Sequence, residues 1–193
     1  PYRQAALQRH TEAAPGALRL VFVGTLAPHK GAHTAIEALG HLVRNGEGSG
    51  ITLDVLGAGH PDYEARLHQM VAEERLQDHV TFHRPIPRAE LPAFLAQYDA
   101  LVMPSIYEEP MARISQEAMA AGLVLIATRT GGTREILVDG QNGLAFDADH
   151  AESLAAQLRR LVEEPELAPA LREAGWQTVS ERFTISRMIE EFE

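Results

Sequence analysis

MPSIYEEPMARISQEAMAAGLVLIATRT, residues 103–130, is the stretch on which the reading of this chain turns. It opens at the end of an apolar strand, Ala100–Met103, and runs into a loop with two adjacent carboxylates, Glu108 and Glu109. A helix rich in Ala and Met follows, Gly122 stops it, and a second apolar strand is expected over Leu123–Ala127. Acids set between a strand end and a helix start are how open α/β sheets build ligand sites, outside the carboxyl ends of their strands. Glu109 falls in the loop and Glu117 inside the helix, eight positions on. A wholly helical segment would separate them by about 12 Å along the axis, from the 1.5 Å rise per residue. That separation suits two ends of an extended ligand and is too large for carboxylates sharing one proton.

The composition sets the limits. At 193 residues the chain is long enough for one domain with a sizeable core. Its 45% apolar and 23% charged content are ordinary for a globular protein. A net charge of −10 argues against a general nucleic-acid or acidic-membrane surface, because both need clustered cations. A local pocket of Lys and Arg could still hold phosphate. Cysteine is absent, so there are no disulfides and no thiolate chemistry, which fits a cytoplasmic protein. The apolar runs are strand-sized, and neither a signal peptide nor a spanning helix is visible. The nine histidines are scattered and read as surface or structural groups rather than metal ligands.

Working outward, residues 1–16 lack a strong pattern, end in Pro15-Gly16, and read as a linker or entering arm to a domain over 17–193. Leu18–Val23 is a near-continuous apolar run, as expected of a parallel strand covered on both faces. It leads into Gly24-Thr25-Leu26-Ala27-Pro28-His29-Lys30-Gly31 and then a helix from Ala32 to about Arg44. A strand, a glycine loop and a helix start can bind an anion through free amides and the helix dipole, and Lys30 would add a full charge. An isolated G-x6-G equally means a sharp turn with a solvated lysine, and it matches neither a Walker loop nor GxGxxG.

A strand at Ile51–Leu56 meets the turn Gly57-Ala58-Gly59, followed by a helix from about Asp62 to Glu74. A strand at Val80–His83 ends in Arg84-Pro85-Ile86-Pro87, whose prolines stiffen a loop able to face a flat ring, or simply set up a helix over Arg88 to Gln97. Beyond the opening stretch, Gly131-Gly132 allows close approach to a ligand or a tight turn, and a short strand is expected at Leu144–Phe146. The rest reads as helical: Ala148 to about Glu163, Pro165 to about Arg182, then from Ile185 on, with Trp176 and Phe183 as anchors. Five β-α repeats with apolar strands give an α/β fold, a doubly wound and mostly parallel sheet with extra C-terminal helices. The strand order is not legible, but the loops singled out all follow strands and so share one edge.

The segments VFVGTLAPHKGAHTAIEAL, LDVLGAG, VTFHRPIPRAELPAFLAQYDALVMPS, EEPMARISQEAMAAGLVLIAT and TGGTREILVDGQNGLAF together resemble retaining GT-B glycosyltransferases of family 4. The resemblance covers the C-terminal, nucleotide-sugar-binding half of such enzymes, a Rossmann-like domain. It implies an N-terminal acceptor domain outside this sequence, through which any peripheral membrane contact would be made. Two glutamates eight apart are weak alone. In series with PS before them, AMAAG after them and GG-x-x-E beyond, they are specific.

By that resemblance Glu109 would contact donor-sugar hydroxyls and Glu117 the nucleoside ribose. An ionised carboxylate accepts two hydroxyl donors at once, which suits a diol. The amides of Ala112, Arg113 and Ile114 would meet the phosphates, with Met111, Gly24, Thr25 and Gly57 alongside. Lys30 would neutralise the diphosphate, and Arg84, Pro85 and Ile86 would border the base. The chain departs from the family in two places: Thr25 stands where an arginine is usual, and Pro110-Met111-Ala112 replaces Gly-Phe-Gly. The resemblance implies hexosyl transfer from a nucleoside diphosphate sugar such as a UDP- or GDP-sugar, in carbohydrate biosynthesis, with no cofactor and no essential divalent ion. The departures keep a non-catalytic binding module open as an alternative, and a sugar-nucleotide epimerase shares the architecture.

Overall fold

The computed structural model describes Tyr2, residues 16–108, Pro110 and residues 113–183. Among these residues six strands, β1 (Leu18–Val23), β2 (Ile51–Leu56), β3 (Val80–His83), β4 (Ala100–Met103), β5 (Val124–Thr128) and β6 (Leu144–Phe146), form one sheet. Every pairing is parallel, in the order β3-β2-β1-β4-β5-β6. This is the Rossmann-like doubly wound order, which reverses direction between β1 and β4 and leaves a crevice there at the carboxyl ends. Val23 lies opposite Leu56, and Leu56 opposite His83, so three neighbouring strands end level and release their loops at one height.

The period-2 alternation of each strand serves both faces of the sheet. Leu20, Phe22, Leu53, Val55, Val102, Val124 and Ile126 face one core, shared with α1 (Ala32–Arg44), α2 (Pro61–Glu73) and α6 (Ala151–Glu163). Val21, Leu101, Met103, Leu125 and Ala127 face the other, shared with α3 (Leu91–Leu95), α4 (Arg113–Ala120), α5 (Thr133–Ile136) and the end of α7 (Leu167–Arg182). Helix α1 shows why the pattern suffices: Ala35, Ile36, Leu39 and Leu42 fall on one stripe and all are buried. Burial of each large side chain contributes about 1.5–3 kcal/mol before chain entropy is set against it.

Helix ends differ from the sequence expectations where capping decides them. The helix expected from Ala148 starts at Ala151, because the His150 ring accepts a hydrogen bond from the Ser153 amide at 3.1 Å and Asp149 takes a left-handed φ of 55° just before it. Helix α2 begins at Pro61, again with a histidine, His60, as its cap. The helix expected over Arg88–Gln97 is only Leu91–Leu95, since residues 88–90 are a turn closed by Glu90 N to Pro87 O at 2.9 Å and Pro92 sits in the first helical turn. Helix α7 starts at Leu167 rather than Pro165, and β5 runs one residue later than expected. The helix expected from Ile185 lies outside the described residues, as does most of the entering arm.

Candidate functional site

The level ends of β1, β2 and β3 and the start of α4 enclose a cleft of about 580 Å³. Val23, Gly24 and Thr25 line it from the β1 loop, and Leu56, Gly57 and Ala58 from the β2 loop. Pro85, Ile86, Arg88 and Leu91 form the wall after β3, and Arg113 and Glu117 come from the first turns of α4. The two glycine loops are sewn together by Gly24 N to Leu56 O at 3.1 Å and Leu26 N to Ala58 O at 3.0 Å, and Gly57 N to His83 O at 3.0 Å ties the second of them to the end of β3. This gives a rigid, mostly apolar floor with a cationic and carboxylate rim, the composition of a preformed small-molecule site.

Glu117 is the hub of the rim. Its side chain is 11% exposed, and Arg88 donates to Oε1 at 2.7 Å from the facing wall. Tyr2 approaches the same carboxylate. Burial pushes its phenol up to about 12, and the charge of Glu117 and the hydrogen bond the phenol gives it act in the same direction. Arg88 was not singled out in the sequence, and Tyr2 belonged to a patternless arm. Neither has a sequence signal, because the partner that gives each a role is brought near only by the fold.

Of the residues the sequence picked out, Gly24, Thr25, Gly57, Pro85, Ile86, Arg113 and Glu117 share this cleft. Arg84 faces an adjoining hollow of about 190 Å³ with Glu64, His68 and His83, and its guanidinium is 3.6 Å from Glu64. Ile114 packs against the second core and is absent from the described lining of the cleft. Lys30 is absent from it too: it ends a 3-10 turn, Pro28–Lys30, further along the same edge. That turn is fixed to the loop after β4 by Ile106 N to His29 O at 2.9 Å and by Ser105 Oγ to the same oxygen at 3.2 Å. Gly31 closes it with φ of 73°, and a β-carbon there would stand 2.0 Å from Pro104 O, so the close approach requires glycine. Glu109, Met111 and Ala112 lie outside the described residues.

Glu108 has a structural use. It accepts from Gly131 N at 2.8 Å and Arg134 Nη2 at 2.5 Å, tying the loop after β4 to the glycine pair after β5. Thr128 Oγ1 donates to Ser105 O in the same junction. Gly131-Gly132 is thus a tight turn whose first amide is already taken. Asp147-Ala148-Asp149, an Asp-x-Asp directly after β6, lies away from the cleft lining, with Asp149 3.4 Å from His33. His29 and His33, four apart, turn to different partners, Tyr107 and Tyr63. Among the described residues no group of three or more His, Asp or Glu side chains is placed to hold a metal ion, and no helix is long and apolar enough to cross a membrane.

Residues 4–178 match the family model described as Glycosyl transferases group 1. Among curated proteins the chain is similar to glycogen synthase of Mycobacterium tuberculosis, 34% identical over 172 residues, covering 87% of this chain and 39% of that protein. Among solved structures it is similar to Anabaena Alr3699/HepE in complex with UDP-glucose, with a TM-score of 0.84 and 25% identity over 99% of this chain and 51% of that one. It is also similar to the C-terminal domain of a group 1 family glycosyl transferase, LpcC, from Francisella tularensis, with a TM-score of 0.80 and 25% identity. There the coverage is 96% of this chain and 94% of the other. The chain spans 35% to 46% of the length of these and similar curated relatives.

Proposed function

This chain belongs to the group 1 glycosyl transferases, and we propose that it is the donor-binding half of a retaining, family 4 type GT-B enzyme that transfers a hexosyl unit from a nucleoside diphosphate sugar without a metal ion. The observation that carries the reading is the cleft itself, where two glycine loops, an apolar wall, two guanidinium groups and one shielded carboxylate converge at the carboxyl edge of the sheet. The occupant of the HepE structure, UDP-glucose, is a ligand of the proposed class.

In this reading the base rests on Pro85, Ile86 and Leu91, and Glu117 accepts hydrogen bonds from the ribose. The diphosphate lies toward Gly24 and the start of α4, where Arg113 and the amides of that helix meet it. Thr25 supplies no charge, and Arg113 on the same rim takes over part of what an arginine there would do. Lys30 acts from the neighbouring turn and Glu109 from the loop before α4. The chemical burden is the charge that grows on the departing diphosphate, which fixed cations and helix amides stabilise without reorganising. The sugar acceptor would be bound outside this chain, and the assembled enzyme would work in the cytoplasm.

Titration calorimetry with UDP, GDP and ADP tests the reading. At least one nucleotide is expected to bind, and Glu117→Ala to weaken it by about tenfold to a hundredfold, the loss of hydrogen bonds to a charged group. Heat from none of the three would overturn the proposal.

A further inference from the structure

Arg88 spends its guanidinium in an unusual place. It stands in the stiff turn between Pro87 and Leu91 rather than on a helix, so its backbone is held by Glu90 N to Pro87 O at 2.9 Å and Leu91 N to Arg88 O at 3.3 Å. From there the side chain, 63% exposed, crosses to a carboxylate that is only 11% exposed on the opposite wall. An ion pair with one partner so open to water contributes little to folding. What it does fix is the direction of Glu117. An ionised carboxylate accepts about four hydrogen bonds. Among the described residues Arg88 takes one and Tyr2 another, which leaves about two, the number a vicinal diol supplies.

Resting on the nucleotide-donor reading, we propose that Arg88 is a positioning residue for ribose recognition. By holding Oε1 of Glu117 from across the cleft, it aims the remaining lone pairs at the two ribose hydroxyls and makes the site select ribonucleotides over deoxyribonucleotides. The role differs from a phosphate contact, which would bind both kinds of nucleotide alike, and from a latch, which would occlude the cleft.

The test is calorimetry of UDP, GDP and their 2′-deoxy counterparts with the wild-type chain, Arg88→Ala and Arg88→Lys. The wild type is expected to favour the ribonucleotide by about tenfold, the worth of one hydrogen bond to a charged group. Arg88→Ala should reduce that preference to about twofold by weakening the ribonucleotide alone, and Arg88→Lys should restore part of it. The melting temperature should stay within about 2 °C, as for a surface pair. Equal weakening of both nucleotides in Arg88→Ala, tighter binding of both, or an unchanged ratio would overturn the positioning role while leaving the donor site standing. Failure of the wild type to bind any of the four would overturn the donor-site reading, and this role with it.

Discussion

Asp99→Ala is expected to lower the unfolding free energy by about 3 kcal/mol, toward the lower end of what removing one partner from a buried charge cluster costs. Asp99 lies just before β4, at the edge of the sheet opposite the cleft, with a side chain 7% exposed. It accepts from the Arg19 amide at 2.9 Å and Arg19 Nε at 3.0 Å, and from Arg172 Nη2 at 3.1 Å, so it joins β1 to α7. Alanine would leave two guanidinium groups facing one another. Both are about 30% exposed, which moderates the penalty.

The effect carries a pH signature. Burial alone would raise the Asp99 pKa, but the Arg19 hydrogen bonds and charge, joined by Arg172, outweigh it and hold the group below its ordinary value. Its contribution is therefore complete above the unfolded carboxylate pKa of about 3.9 and is lost as pH falls through the lower folded value. Denaturant melts of wild type and variant should differ most near neutral pH and converge in acid. Nucleotide affinity should be unchanged in the folded variant. A stability difference that grew on acidification would contradict this account of the cluster.

Gly57→Ala should damage both stability and binding. A β-carbon at Gly57 would stand 2.0 Å from Gly24 O. Neither backbone can retreat freely, because Gly24 N is bonded to Leu56 O and Gly57 N to His83 O. Overpacking against backbone of this kind costs about 3 kcal/mol. Gly24 and Gly57 together form the cleft floor, so the shift that relieves the clash also deforms the site, and affinity for nucleotide should fall at least tenfold. Denaturant melts and calorimetry on one preparation check both effects. Full stability with full affinity would mean that the two loops are not packed in this way. The two variants thus separate fold from site: one weakens the sheet at the edge opposite the cleft and spares the cleft, and the other strikes the cleft directly.

The parts of this molecule written in local sequence were legible in it. Apolar runs such as LRLVFV and ALVM gave the strands, the helical spacing of Ile36, Leu39 and Val43 gave α1, although Val43 is only partly buried, and glycines after β1 and β2 marked the turns. That every chosen loop follows a parallel strand was enough to place them on one edge. The order of the strands was not legible, because parallel crossovers of similar length fit several orders. Pairs remote in sequence were invisible for the same reason. Arg88 and Glu117 are 29 positions apart, and Arg19 and Asp99 are 80 apart. Both glutamates of the loop after β4 looked alike as residues. Glu108 binds the glycine turn, and only the approach of Gly131 and Arg134 reveals it. Lys30 was singled out from a strand, a glycine loop and a helix start together with the family resemblance, and its turn is docked on Ser105 and Ile106, beside the cleft.

The central claim is that one cleft, spanning the ends of β1, β2 and β3 and the start of α4, receives a nucleoside diphosphate. Following backbone amide resonances of the isotope-labelled chain during a titration with UDP and GDP tests it most directly. Saturable shifts are expected at Gly24, Gly57, Ile86, Arg113 and Glu117, with little change at Asp99. Shifts confined to the neighbouring hollow around Glu64 and His68, or scattered without saturation, would contradict it.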